Sequence, residues 1–224
     1  MCFFYMLLTL LQVLLYVLPC QSEISCRNED GEPVDWFIMY KLPKYKIGDV
    51  GSGLDYMYLD STLKDWQMSK FLVNTSQGAL GSTLKPLYMG EELRSNSSAY
   101  MFYNDAPPLM NYTTKYGHTK ERGYSWPDTG KMNGQTMFCV TYKYGQFPQI
   151  AQQLLLYNPH VYNCSLPAVF QKEMVDVALL CSGSKLPWVP KTRLQKLVSA
   201  KGEPLLSFAK SHFYVDGKMI CFQR

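Results

Sequence analysis

Val34-Asp35-Trp36-Phe37-Ile38-Met39-Tyr40 is the stretch from which the fold is read. Short, aromatic and partly β-branched, with Pro43 to stop it, it reads as a buried strand. Before it, Cys26 to Pro33 is polar and turn-rich. After it, Lys41-Leu42-Pro43-Lys44-Tyr45-Lys46 interleaves basic and aromatic residues. That run is either a solvated strand exit or a stretch able to follow a phosphate backbone with rings for stacking. Gly48 to Gly53 is glycine-spaced but lacks the residue order of a phosphate-cradling loop. Residues 56–82 mix short apolar pieces with polar turns. Two further strands are expected, at Ala99-Tyr100-Met101-Phe102-Tyr103 and at Thr136-Met137-Phe138-Cys139-Val140-Thr141-Tyr142. Helices are expected over 148–157, stopped by Asn158-Pro159, and over 168–180, where Phe170, Met174, Val177 and Ala178 form a core-facing stripe. Residues 194–209 are mixed, and 211–224 form a tail without a strong pattern.

Tyr116-Gly117-His118-Thr119-Lys120 holds one of only three histidines. On an extended backbone the side chains of His118 and Lys120 leave the same face. A neutral imidazole can attack phosphorus or accept a proton, and an ammonium beside it can hold phosphoryl oxygens as charge builds. Taken alone, the same residues also suit an exposed polar loop. His160 follows a helix stop and reads as a loop residue, and His212 lies in the tail. Asp35, beside Trp36, would support a site from behind, cap the strand or pair with a lysine.

Residues 1–22 are almost wholly apolar and carry no Lys, Arg, Asp or Glu. They read as a signal peptide cut before Glu23, with a signal anchor as the alternative. No stable membrane insertion is expected after cleavage. Four Asn-x-Ser/Thr sequons, at Asn74, Asn96, Asn111 and Asn163, agree with a secretory route. Beyond the leader stand Cys26, Cys139, Cys164, Cys181 and Cys221, an odd number in an oxidising compartment, so at least one is free or pairs outside the chain. No pair has zinc-site spacing, and no structural metal is expected. The net charge of +4 permits an anionic ligand without demanding one.

Several stretches together resemble the deoxyribonuclease II family of acid endonucleases, and more closely its beta type. They are residues 31–43, from Gly31-Glu32-Pro33 to Lys41-Leu42-Pro43, then Tyr103-Asn104-Asp105-Ala106-Pro107-Pro108 and Gly117-His118-Thr119-Lys120. Gly134-Gln135-Thr136-Met137-Phe138-Cys139-Val140 and Phe208-Ala209-Lys210-Ser211 follow in family order. The resemblance implies a phospholipase D-like α/β lobe, a mixed sheet flanked by helices, as one of two lobes that each bring a His-x-Lys pair to a shared cleft. One histidine would attack phosphorus and the other would protonate the leaving 5′ oxygen. The lysines would hold the non-bridging oxygens, with no cofactor or metal, and the products would carry 3′-phosphates. An acidic optimum follows because one imidazole must start protonated. His118 and Lys120 match the first pair. Cys26 with Cys139 matches a family disulfide, and Cys164 with Cys181 is a second pairing to expect.

On this reading residues 1–22 are the signal peptide, 23–210 the deoxyribonuclease II-like lobe and 211–224 a divergent tail. The protein would act on DNA in the lysosome or after secretion. The chain departs from the family pattern twice. Glu121-Arg122-Gly123 follows Lys120 where the family runs into an apolar strand, as if roughly 25 residues were absent. It also stops soon after Ser211, so a shortened form lacking the second lobe is expected. One histidine cannot readily serve as both nucleophile and acid on opposite sides of phosphorus. A homodimer would bring two His118 residues together. The alternative function is a catalytically deficient glycoprotein of the same family, either a polyanion binder or a form without function.

Overall fold

A computed structural model describes residues 24–47, 50–89, 96, 98–103, 128–183 and 192–211. It is a mixed α/β structure of small antiparallel sheets and short helices. The expected first strand is interrupted at Asp35. Pro33–Val34 (β2) pairs with Cys26–Arg27 (β1), and Trp36–Lys41 (β3) is the longer piece.

Strand β3 is flanked on one side by Tyr56–Asp60 (β6), which carries Gln67–Met68 (β7) at its edge. On the other side lies Gln135–Val140 (β9). Period-two alternation sorts these strands into faces. Asp60, Phe37 and Cys139 form one inward row, Tyr58, Met39 and Met137 the next, and Tyr56, Lys41 and Gln135 the third. Phe37, Met39, Tyr56 and Tyr58 are buried here with Cys26, Val34, Val73 and Ala79. Lys44–Ile47 (β4) and Val50–Ser52 (β5) make a short ladder beyond β3.

The inner face is closed by helix Gly78–Met89 (α1), which packs on β1. The Glu29 carboxylate holds it there. It accepts bonds from Tyr56 Oη at 2.7 Å and from the Ala79 N–H at 3.0 Å in the first turn, and a third from Ser69 Oγ. A carboxylate at that end also suits the positive pole of the helix. Burial, then the bond to Glu29, raises the Tyr56 pKa, so the phenol stays a donor across the physiological range.

A second cluster is built from Phe147–Tyr157 (α3) and Val175–Cys181 (α5), with Ala151, Leu155 and Leu180 buried between them. Tyr100–Tyr103 (β8) and Val161–Ser165 (β10) form an antiparallel pair whose Met101 and Val161 join that cluster. Asp128–Met132 (α2) precedes β9. The helix expected over 168–180 is divided into Ala168–Gln171 (α4) and α5. Met174 leaves the helical region, at φ −114° and ψ 56°, and its side chain is buried.

Thr192–Val198 (β11) and Pro204–Lys210 (β12) form a hairpin over α3 that the mixed sequence of 194–209 does not announce. Gln153 Nε2 donates to Ser207 O at 2.9 Å, and Tyr157 Oη to Phe208 O at 2.6 Å. Thr141 joins the two halves. Its hydroxyl donates to Val34 O at 2.8 Å and accepts from the Cys26 N–H at 2.9 Å, while its carbonyl accepts from the Ala200 N–H at 2.8 Å.

Candidate functional site

The expected catalytic pair, His118 and Lys120, lies outside the described residues, as do His212 and the sequon at Asn111. What the structure places are the two ends from which the His118 segment is hung. One end is Tyr103, the last residue of β8, which faces Val161 across the ladder, with His160 next to Val161 in the chain. The other end is α2, whose Lys131 is drawn onto the last residue of the central strand β3.

That second end is fastened by Lys41. The residue is buried, and its ammonium donates to Leu42 O at 2.8 Å, Gly53 O at 3.0 Å and Lys131 O at 3.4 Å. Gly53 sits at φ +81°, and a Cβ there would meet Lys131 O at 2.4 Å, so both its backbone and its neighbour demand glycine. Residues 41–46 therefore do not act as one basic stripe. Lys41 faces inward and cross-links three backbone carbonyls, while Lys44 is exposed. This anchor escaped the sequence reading. The signal was in the alternation of β3, which puts Lys41 on the same face as Phe37 and Met39.

The loop into β6 is organised by Asp55. Its carboxylate accepts from the Gly51 N–H at 3.1 Å, the Ser52 N–H at 2.9 Å and Ser52 Oγ at 2.7 Å. Burial pushes its pKa upward, but the bonds from Ser52 and the backbone outweigh it, and the pKa lies below the usual carboxylate value.

Asp35, one candidate for support from behind the site, is buried and bound within the fold. It accepts from Ser199 Oγ at 2.5 Å and the Lys201 N–H at 2.8 Å. His160 lies in the loop after α3, following Asn158, whose left-handed φ of 52° ends that helix. Cys26 is joined to Cys139, with Cα atoms 5.9 Å apart, and Cys164 to Cys181, at 5.6 Å. Asn74, Asn96 and Asn163 are exposed. Among the described residues no group of three or more His, Cys, Asp or Glu could hold a metal ion, and no helix is long and apolar enough to cross a membrane.

The family model for Deoxyribonuclease II matches residues 25–122 and 119–217. The two matches meet at 119–122, directly after His118. Deoxyribonuclease-2-beta of Homo sapiens is 42% identical over 221 residues, covering 87% of this chain and 61% of that protein. Deoxyribonuclease-2-alpha of Mus musculus is 34% identical over 232 residues, covering 90% of this chain and 64% of its own length. Plancitoxin-1 of Acanthaster planci is 30% identical over 231 residues, again with 90% of this chain and 64% of the relative. The chain thus spans about three-fifths of the length of these relatives. Identity to the beta-type relatives, 40–42%, exceeds that to the alpha type, 33–34%.

Proposed function

The chain belongs to the deoxyribonuclease II family, and from that membership we propose that it is an acid endodeoxyribonuclease with His118 as nucleophile and Lys120 as electrostatic partner. The observation that carries this reading is the family match on both sides of His118, with Gly117-His118-Thr119-Lys120 inside it.

In the proposed reaction a ring nitrogen of His118 attacks a DNA phosphorus while the 5′ oxygen departs and takes a proton. Water then hydrolyses the phosphohistidine and leaves a 3′-phosphate. The Lys120 ammonium faces the non-bridging oxygens, where negative charge grows, so this cation lowers the barrier without a metal. The acid that protonates the leaving oxygen must be a second group, since His118 is occupied. His-x-Lys occurs once in the sequence. A homodimer, with a second His118 across a two-fold axis, meets that need.

We assign residues 1–22 as a signal peptide, 23–210 as a phospholipase D-like lobe and 211–224 as a divergent tail. Delivery is to lysosomes or out of the cell, with glycans on exposed sequons. The acidic optimum fits such a compartment, because an imidazole with a reference pKa near 6.5 is largely protonated at about pH 5.

The net charge of +4 also admits a second reading, in which the protein binds polyanions without turning them over. Plasmid nicking at about pH 5 with EDTA present separates the two. Nicking by the wild type that vanishes in His118→Ala supports the nuclease. A folded wild type that retains DNA, loses it steeply with salt and never nicks it leaves the binder.

A further inference from the structure

Asn163-Cys164-Ser165 differs from the other sequons in having a cysteine as its middle residue, and that cysteine is bonded to Cys181. We infer that glycan occupancy at Asn163 is decided by a race between glycosyl transfer and closure of the Cys164–Cys181 bond. The inference rests on the secretory route proposed above.

In the fold the sequon is strand β10. Asn163 pairs with Phe102 and Cys164 with Met101, and the Asn163 side-chain oxygen accepts from Tyr100 Oη at 3.2 Å. Alternation sends Asn163 outward and Cys164 toward the cluster that contains Met101. A glycan on the Asn163 nitrogen therefore projects into solvent, and the disulfide forms on the opposite face. Glycan first and disulfide second is allowed. The reverse order is not, because a transferase must take up the three residues as a free extended segment, and the closed bond with the β8–β10 ladder withholds it.

Two reactions thus compete for one segment. In the first, the Asn163 side-chain nitrogen bonds to the anomeric carbon of a lipid-pyrophosphate-linked oligosaccharide. The sugar–phosphate bond breaks, the pyrophosphate lipid leaves, and the amide gives up one proton. In the second, the Cys164 and Cys181 thiols lose two protons and two electrons to a protein disulfide, which becomes a dithiol. The 17-residue separation means that Cys181 emerges about one to three seconds after Cys164 at roughly 5–20 residues per second. Disulfide formation also begins on the scale of seconds, so neither reaction wins outright. Asn74 and Asn96 are exposed and have no cysteine in their sequons.

The test is site-by-site glycan occupancy by mass spectrometry on the full chain expressed in secretory cells. Wild type should carry glycan on Asn74 and Asn96 and on only part of Asn163. In Cys181→Ser the occupied fraction at Asn163 should rise roughly twofold or more, since the competing loop closure is gone. Cys164→Ala, which keeps a valid sequon, should do the same. Reductant given to wild-type cells during synthesis should raise it as well, without any substitution. Occupancy is fixed early, so these readings do not require the variants to complete folding. Unchanged Asn163 occupancy in all three arms overturns the race, as does a bare Asn163 throughout beside occupied Asn74 and Asn96. Glycan at none of the four sequons, Asn111 included, removes the secretory route itself, and this inference with it.

Discussion

The Asp35 carboxylate and the Ser199 hydroxyl meet at 2.5 Å across 164 positions of the chain. With the Lys201 N–H at 2.8 Å, this contact pins the turn of the β11–β12 hairpin to the start of the central strand. A buried carboxylate held by donors from a distant segment makes that segment part of the same cooperative unit. Asp35→Ala should cost about 3 kcal/mol, because the buried Ser199 hydroxyl and the partly buried Lys201 N–H lose a charged acceptor. Urea unfolding measures it, and a loss under about 1 kcal/mol would mean that the hairpin is held instead by the Gln153 and Tyr157 bonds from α3.

Lys41→Met should be destabilising by roughly 2 kcal/mol, since the carbonyls of Leu42, Gly53 and Lys131 lose an ammonium donor. DNA binding offers a sharper reading. A lysine in contact with phosphate would lower the salt slope by about one when removed. The buried Lys41 should leave that slope unchanged.

Asp55 sets the sign of one acid effect. Its folded pKa lies below the unfolded value, so its contribution is complete above the ordinary carboxylate range and fades as pH falls through the folded pKa. Asp55→Asn should therefore be less stable than wild type at neutral pH and at about pH 5, with the gap closing only below about pH 4. Thermal unfolding across that range checks it. A gap that already closes near pH 6 would mean that another group carries the effect.

Loss of the Cys26–Cys139 bond, in Cys139→Ser, should cost about 2–5 kcal/mol. The half-cystines are buried or half-buried beside Phe37, so the substitution also disturbs packing. Guanidinium denaturation of oxidised and reduced Cys164→Ala/Cys181→Ala protein, which lacks the second disulfide, separates the covalent share from the packing share.

Lys120→Ala should lower nicking at acidic pH by about 10²–10³-fold with little change in stability, as removal of a charge-stabilising donor does elsewhere. Equal nicking by the variant and wild type would remove Lys120 from the reaction.

The central strand could be read before any coordinates, because Val34–Tyr40 combines β-prone residues with a proline stop, and helix α3 because its apolar side is continuous. The hairpin could not. In β11 the inward residues are Arg193, Gln195 and Leu197, while Leu194 and Val198 point out, which inverts the pattern that normally marks a half-buried strand. Helix α1 was hidden by Gly78, Gly81 and Pro86, each a poor helix former, and it is held by Glu29 from 50 positions away. Of the candidate site, the His118 and Lys120 motif is an expectation from sequence that lies outside the described residues. For Lys41 the alternation of β3 marks the inward face, but the three carbonyls that hold its ammonium come from tertiary contacts that the sequence does not show.

The Cys26–Cys139 bond spans 113 positions, and the segment that carries His118 lies within that span. The chain between the two half-cystines is a covalent ring. A protease that cuts one peptide bond anywhere in the ring opens it without releasing a fragment, and β1 and β9 stay tethered across the sheet. In a degradative compartment, a nicked molecule would keep both pieces in one particle and come apart only when the disulfide is reduced.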